Sequence, residues 1–258
     1  MSIQSSDPSA QRSSKPFWEL VKIQGKLALR EPYSLIFGVA LPVFLLAVFS
    51  LVPAFWEPLP GTTLTVFEIY IPILMVLILI MIGLLGLPIS LVRDREIGWL
   101  RRISTTPVLP SKLLAAQVTI NTILAVVGFV ILGAGSVLIF RVRSQFDVVG
   151  FVLSLVLTTA VMFSLGLAVA ALAPSQGAAT GITMGLLYPM LFFAGVYVPM
   201  QMLPDSLQTI SGFTPAGAAV KALGDAMQGN FPSVVSLVVM AVYALLLGYI
   251  AIRYFKWE

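Results

Sequence analysis

The chain has no cysteine and no histidine among its 258 residues. Thiol redox chemistry, disulfides, His-ligated haem and His/Cys zinc sites are therefore excluded together. A Ser-His-Asp or Cys-His catalytic arrangement is excluded with them. Charge is scarce as well. Asp, Glu, Lys and Arg make up 10% of the residues, where ordinary soluble domains carry about a quarter. No Gly-x-x-x-x-Gly-Lys-Ser/Thr phosphate loop occurs, so this chain does not bind and hydrolyse ATP by itself. Paired carboxylates are missing from the long apolar segments, which argues against an intramembrane aspartyl protease. An enzyme has almost no residues to rest on here.

What the chain does have is apolar length. Hydrophobic residues make up 59% of it, and mean hydropathy is +1.00. That composition is an integral membrane protein. Six segments reach the roughly 20 residues a helical span needs: 33–53, with a kink expected at Pro42, then 68–92, 113–140, 148–173, 178–199 and 234–255. One membrane domain over 16–258 follows a polar tail, 1–15, rich in Ser and Gln and read as disordered. The expected fold is all-α, with no spare length for a soluble domain.

The loops carry the topology. Arg12, Lys15, Lys22, Lys26, Arg30, Arg93, Arg95, Arg101, Arg102, Lys112, Arg253 and Lys256 fall on one side, and only Arg141, Arg143 and Lys221 on the other. The positive-inside bias puts both termini in the cytoplasm. It also accounts for the pI near 9.5 without nucleic acid. No charged residue lies near the middle of any span, whereas ion-coupled carriers usually keep one there. Glu57 and Glu68, beside Trp56, read as interfacial anchors on the outer side.

Two amphipathic stretches face the cytoplasm. From Pro16 to Glu31, Phe17, Leu20, Val21, Leu27 and Ala28 form one stripe, and Glu19, Lys22, Lys26 and Arg30 the other. This is a helix lying in the interface with Trp18 at headgroup level, or simply the approach to the first span. The second stretch, Arg93 to Val108, holds the densest charge in the chain. Ile97, Leu100 and Ile103 recur at helical spacing, Arg95, Arg101 and Arg102 fall on other faces, and Pro107 and Pro110 end the pattern. A short basic helix tied to membrane spans at both ends can take up force from a soluble partner. It can equally be a solvated loop whose arginines only set topology.

The fifth span carries Gly177, Gly181 and Gly185 every four residues. Small residues at that spacing let another helix approach closely, within one subunit or across two copies. Tyr188, Phe192 and Phe193 follow, as packing or as a pocket for an apolar substrate. Beyond Pro199, Leu203-Pro204-Asp205 opens one short helix ended by Gly212, and Thr214-Pro215 caps a second that stops at Gly229. Two half-apolar helices after a span predict a re-entrant outer hairpin between spans 5 and 6.

Two stretches resemble a known family. Glu96-x-Gly98-x-Leu100-x-Arg102 followed by Thr106-Pro107-Val108 is similar to the loop between the second and third spans of ABC type-2 exporter permeases of the daunorubicin-resistance kind. The family often has Gly-Thr-Leu-Glu where this chain has Gly98-Trp99-Leu100-Arg101. Phe193-x-Gly195-x-Tyr197-x-Pro199, then Leu203-Pro204, Thr214-Pro215 and Ala222-Leu223, resembles the same family's fifth span and outer hairpin.

The resemblance implies a cytoplasmic coupling helix carrying Asp94, Arg95, Glu96, Gly98, Trp99, Leu100, Arg101, Arg102, Thr106 and Pro107, which docks on a separate ATPase subunit. It implies that the interface helix (Phe17, Trp18, Leu20, Lys22, Lys26, Arg30) faces that ATPase too. Gly195, Pro199, Pro204 and Pro215 then shape a hairpin capping the exit. Spans 2 and 5 border the substrate path, which puts Met75, Met81, Met184, Tyr188 and Phe192 along it; Met suits adaptable apolar binding.

The function expected is the permease subunit of a bacterial plasma-membrane exporter for a drug, antibiotic, lipid or glycan intermediate. Two permease copies pair, each with one ATPase subunit that holds the ATP and Mg. No cofactor or metal is expected in this chain. The alternative is an ion-coupled carrier or channel that works without an ATPase.

Overall fold

A computed structural model describes residues 36–59, 64–98, 110–139 and 146–255, together with Val21 and Gly25. The regular elements among the described residues are all helices, apart from one isolated antiparallel bridge between Pro58 and Thr65. We number the helices α1 (Ile36–Ser50), α2 (Val66–Glu96), α3 (Pro110–Ala134, continuing as a π turn over Gly135–Ile139), α4 (Val148–Leu172), α5 (Gln176–Phe193), α6 (Asp205–Gly212), α7 (Pro215–Met227) and α8 (Val234–Tyr254). Four of them, α2, α3, α4 and α8, are long and apolar enough to cross a membrane, and α1 is a shorter apolar helix.

Helix α2 is the axis of the bundle. Phe67, Ile71, Val76, Ile78, Leu79, Ile80, Ile82, Leu84 and Leu87 are all fully buried. It opens on a capping box: Thr65 Oγ1 accepts from the Glu68 amide at 3.2 Å, and Glu68 Oε2 accepts from the Thr65 amide at 2.8 Å. Halfway along, Ile80–Gly86 widens into a π-helical turn just before Pro88. Proline lacks the amide proton the Leu84 carbonyl would accept, and its ring crowds that carbonyl, so the helix accommodates it by local widening. Pro42 does the same in α1, where the π turn Ile36–Ala40 precedes it.

Helix α4 crosses α2 at the π turn and pairs along its length with α8. The outward faces are apolar instead of charged. Val126, Val127, Val130 and Ile131 on α3 and Val238, Val242, Leu245 and Ile252 on α8 are exposed. A soluble protein hides such residues; a multi-pass membrane protein presents them to lipid.

The fifth span is shorter than its apolar run. Expected over 178–199, it runs Gln176–Phe193, because Gly195 takes a left-handed φ of +81° and turns the chain. The segment after it is not a loose loop. Helix α7 is buried along most of its length among α2, α4 and α8, with α6 packed on it. Thr214 Oγ1 caps α7 by accepting from the Gly217 amide, and Gly229, at φ +80°, ends the hairpin. At this hairpin end of the bundle, Phe49, Phe55 and Tyr70 cluster with ring centroids 4.7 to 5.6 Å apart. Trp56 stacks on Phe67 and donates its indole N–H to the Ser50 carbonyl.

Candidate functional site

At the opposite, charged end, Arg93–Glu96 is the last turn of α2 and not the opening of a separate helix. The amides of Ile97 and Gly98 close onto the carbonyls of Arg93 and Arg95, and Gly98 ends the helix at φ +70°. A basic helix expected to begin at Arg93 is thus continuous with span α2 as far as Glu96. Pro110, expected as part of the stop, instead occupies the first position of α3. Trp99, Leu100, Arg101, Arg102, Thr106 and Pro107 lie outside the described residues, as do Phe17, Trp18, Leu20, Lys22, Lys26 and Arg30.

Four described residues of the segment, Arg93 to Glu96, have defined side-chain partners. Arg93 Nε lies 3.8 Å from Asp94 Oδ1. Arg95 points across to α4, donating Nη1 to the Ala170 carbonyl at 3.3 Å and Nη2 to the Ala173 carbonyl. Glu96 Oε1 accepts from the Gln176 amide at 2.9 Å, in the first turn of α5. Beside it, Ser175 caps the same helix by accepting from the Ala178 amide. The two charges are matched to the ends they touch. A guanidinium sits on the exposed carbonyls of a helix C-terminus, and a carboxylate on the free amides of an N-terminus. Beneath them Leu87, Leu91, Val92, Ala170, Ala173 and Ala179 form their own apolar cluster.

Sequence reasoning did not single out Gln176, Ala170 or Ala173. The turn Ala173-Pro174-Ser175 carried a signal, a proline after one helix and a capping serine before the next. Nothing in it announced that Arg95 and Glu96, about eighty residues earlier, are its partners.

The residues expected along a substrate path are not brought together within one chain. Met75 and Met81 are buried inside α2. Met184 is half-buried, Tyr188 is 60% exposed, and Phe192 meets Phe193 edge-to-face at 5.3 Å. Gly177, Gly181 and Gly185 form an exposed ridge on α5. No atom lies within 4 Å of where a Cβ would stand on Gly181 or Gly185, so no described residue of this subunit packs there. On the hairpin, Gly195 makes the turn, Pro199 and Pro204 precede helical turns, and Pro215 opens α7.

A cavity of about 820 Å³ lies between the start of α2 and the hairpin. Its floor is Ile69, Pro72, Ile73 and Val220, and its rim carries Glu68, Lys221, Asp225, Gln201, Gln208 and Asn230. Asp225 Oδ2 accepts from the Ser233 amide at 3.3 Å. Burial raises the Asp225 carboxyl above its ordinary value, and the Ser233 amide and Lys221 oppose that shift. An apolar floor under a hydrogen-bonding rim suits an amphiphile better than an ion.

Among the described residues no group of His, Cys, Asp or Glu could hold a metal. No curated protein matches the chain. A family model described as ABC-2 type transporter matches residues 15–228, which takes in the charged end, five of the apolar helices and the hairpin. The all-helical bundle, the apolar outer faces and that match together make the chain a member of the ABC-2 type transporter family, the multi-pass permease subunits that work with an ABC ATPase partner.

Proposed function

We propose that this permease is the membrane subunit of an ATP-driven exporter in a bacterial plasma membrane, with both termini cytoplasmic. Its substrate is apolar or amphipathic, a drug or antibiotic first and a lipid or glycan intermediate second. Two copies of the chain pair, and each docks one separate ATPase subunit, which holds the ATP and Mg. The observation that carries this reading is the charged end of α2. Among the described residues it is the one place where a long buried span emerges with a dense run of charge, and that span reaches the cavity under the hairpin at its other end.

Two further features support the reading. The open glycine ridge on α5 suits close approach by a second copy. The mixed lining of the hairpin-end cavity suits an amphiphile leaving the path. ATP-driven closure of the ATPases would displace the charged ends and bias the spans between inward-open and outward-open arrangements.

The test is to purify the tagged chain from its own cells in mild detergent and identify what accompanies it. A stoichiometric subunit carrying a phosphate loop, lost on Arg102→Ala, is the expected result. A chain that arrives alone, under conditions that keep other transporter complexes intact, defeats the reading in favour of a carrier that needs no ATPase.

A further inference from the structure

Arg95 and Glu96 sit in the stretch where direct contact with an ATPase is expected, yet both are bonded within the subunit. Arg95 holds the C-terminus of α4 through the Ala170 and Ala173 carbonyls. Glu96 holds the N-terminus of α5 through the Gln176 amide. Two adjacent residues of one helix end therefore grip both sides of the α4–α5 turn, each with the charge its helix end attracts. The apolar cluster below closes the same joint, with Leu91 and Val92 of α2 against Ala170, Ala173 and Ala179.

We propose that Arg95 and Glu96 are positioning residues that lock the charged end of α2 to the α4–α5 turn, so that displacement of this end is delivered to α4 and α5 together. The inference rests on the exporter reading for its driving force. The mechanical reason lies in the elements on either side. Helix α2 ends at Gly98, whose left-handed φ stops the helix there. Higher up, α2 is widened at Ile80–Gly86, where regular helical bonding is interrupted. Between these two interruptions of the α-helix, the α2 segment Leu87–Glu96 is fastened to α4 and α5 by side-chain bonds and apolar packing. A push on it has α4 and α5 as its stiffest outlet.

The Gln176 amide allows the tie to be cut from the far side. Gln176 is the first residue of α5, a position that proline tolerates because its amide is free of the helix ladder, and Ser175 before it is already extended. Gln176→Pro therefore removes the donor without altering the charged segment. Glu96→Ala removes the acceptor, and Glu96→Gln keeps an oxygen that can still accept.

The experiment uses the full chain with its co-purifying ATPase subunit in lipid nanodiscs. Leu172→Cys, at the exposed end of α4, is the reporter, and no native cysteine competes for the label. Maleimide labelling is followed with and without ATP and vanadate. Hydrogen exchange at the peptide containing the Gln176 amide is measured on the permease alone. We expect Gln176 protection to be lost in Glu96→Ala and kept in Glu96→Gln. We expect Gln176→Pro to retain the ATPase subunit and its hydrolysis while losing the ATP-dependent change in labelling, and Glu96→Ala to lose that change as well. A Gln176→Pro complex that keeps that change overturns the inference, and if Glu96→Ala alone loses it, Glu96 acts on the ATPase directly. A wild-type chain carrying no ATPase defeats the exporter reading and the transmission with it, while the exchange result still reports whether the tie exists.

Discussion

Gly166 of α4 lies against the carbonyl of Gly83 in α2, so close that a Cβ on Gly166 would overlap that oxygen. A Cβ on Gly83 would in turn stand 2.9 Å from Phe163 Cδ1 and 3.0 Å from the Met162 backbone. The two helices cross backbone to backbone at the π turn of α2, and only glycine permits it. The crossing fixes the depth at which α4 seats on the bundle axis. Gly166→Ala forces the helices apart and should cost about 1–3 kcal/mol by overpacking. Gly133→Ala in α3, where nothing lies within 4 Å, should be neutral or slightly stabilising through helix propensity. Thermal aggregation of the two variants in detergent checks this, and equal midpoints would show that the crossing is not tight.

The start of α2 offers a second measurement. Thr65 and Glu68 satisfy each other's backbone amides, so Thr65→Ala leaves an orphan donor at the end of the most buried helix. A loss of about 0.5–2 kcal/mol is expected, with Thr65→Ser close to wild type. Equal melting of Thr65→Ala and Thr65→Ser would remove the cap as a contributor.

The glycine ridge predicts a split between folding and assembly. Gly181→Leu and Gly185→Leu point a bulky side chain into space that the described residues leave empty, so monomer stability should hardly change. If that space receives a second copy, mass measured in detergent or nanodiscs should shift from dimer toward monomer. Unchanged mass in both variants would place the second copy elsewhere.

Asp225 makes the stability of the hairpin end fall as pH rises through the acid range. Its carboxyl is raised from the ordinary 3.8 chiefly by burial, so the folded state binds its proton more tightly than the unfolded chain does. The contribution is fully favourable below the ordinary value and is lost as pH rises through the raised one. Lys221 and Glu68 share the cavity rim, and Lys221 limits the rise. The melting midpoint of wild type should therefore fall relative to Asp225→Asn as pH climbs through the acid range above 3.8. Parallel curves would show that Asp225 titrates alike in both states.

Much of this protein was legible before any tertiary contact was known, because the relevant physics is local. A run of apolar residues long enough to span hydrocarbon must be helical, since no other partner exists for its backbone. Thr214-Pro215 and Gly229 mark the hairpin through their own backbone preferences. Gly98 and Gly195 interrupt their helices for the same reason, although neither the end of α2 nor the early end of α5 followed from hydropathy, which measures apolar length and ignores φ.

The residues alone establish membership and material: an all-helical membrane chain with one charged end and with neither Cys nor His. The tertiary structure decided which partner each charge and each small residue met. Met75 and Met81 were buried in the axis helix, while Gly181 and Gly185 on α5 were left open among the described residues. The family resemblance put Arg95 and Glu96 on a helix that docks on a separate ATPase. They found α4 and α5 only because the Gly83–Gly166 crossing seats α4 on α2 and the Ala173-Pro174-Ser175 turn presents two helix ends at the level of Glu96. Charge complementarity between residues about eighty positions apart depends on that approach, and no local pattern encodes it.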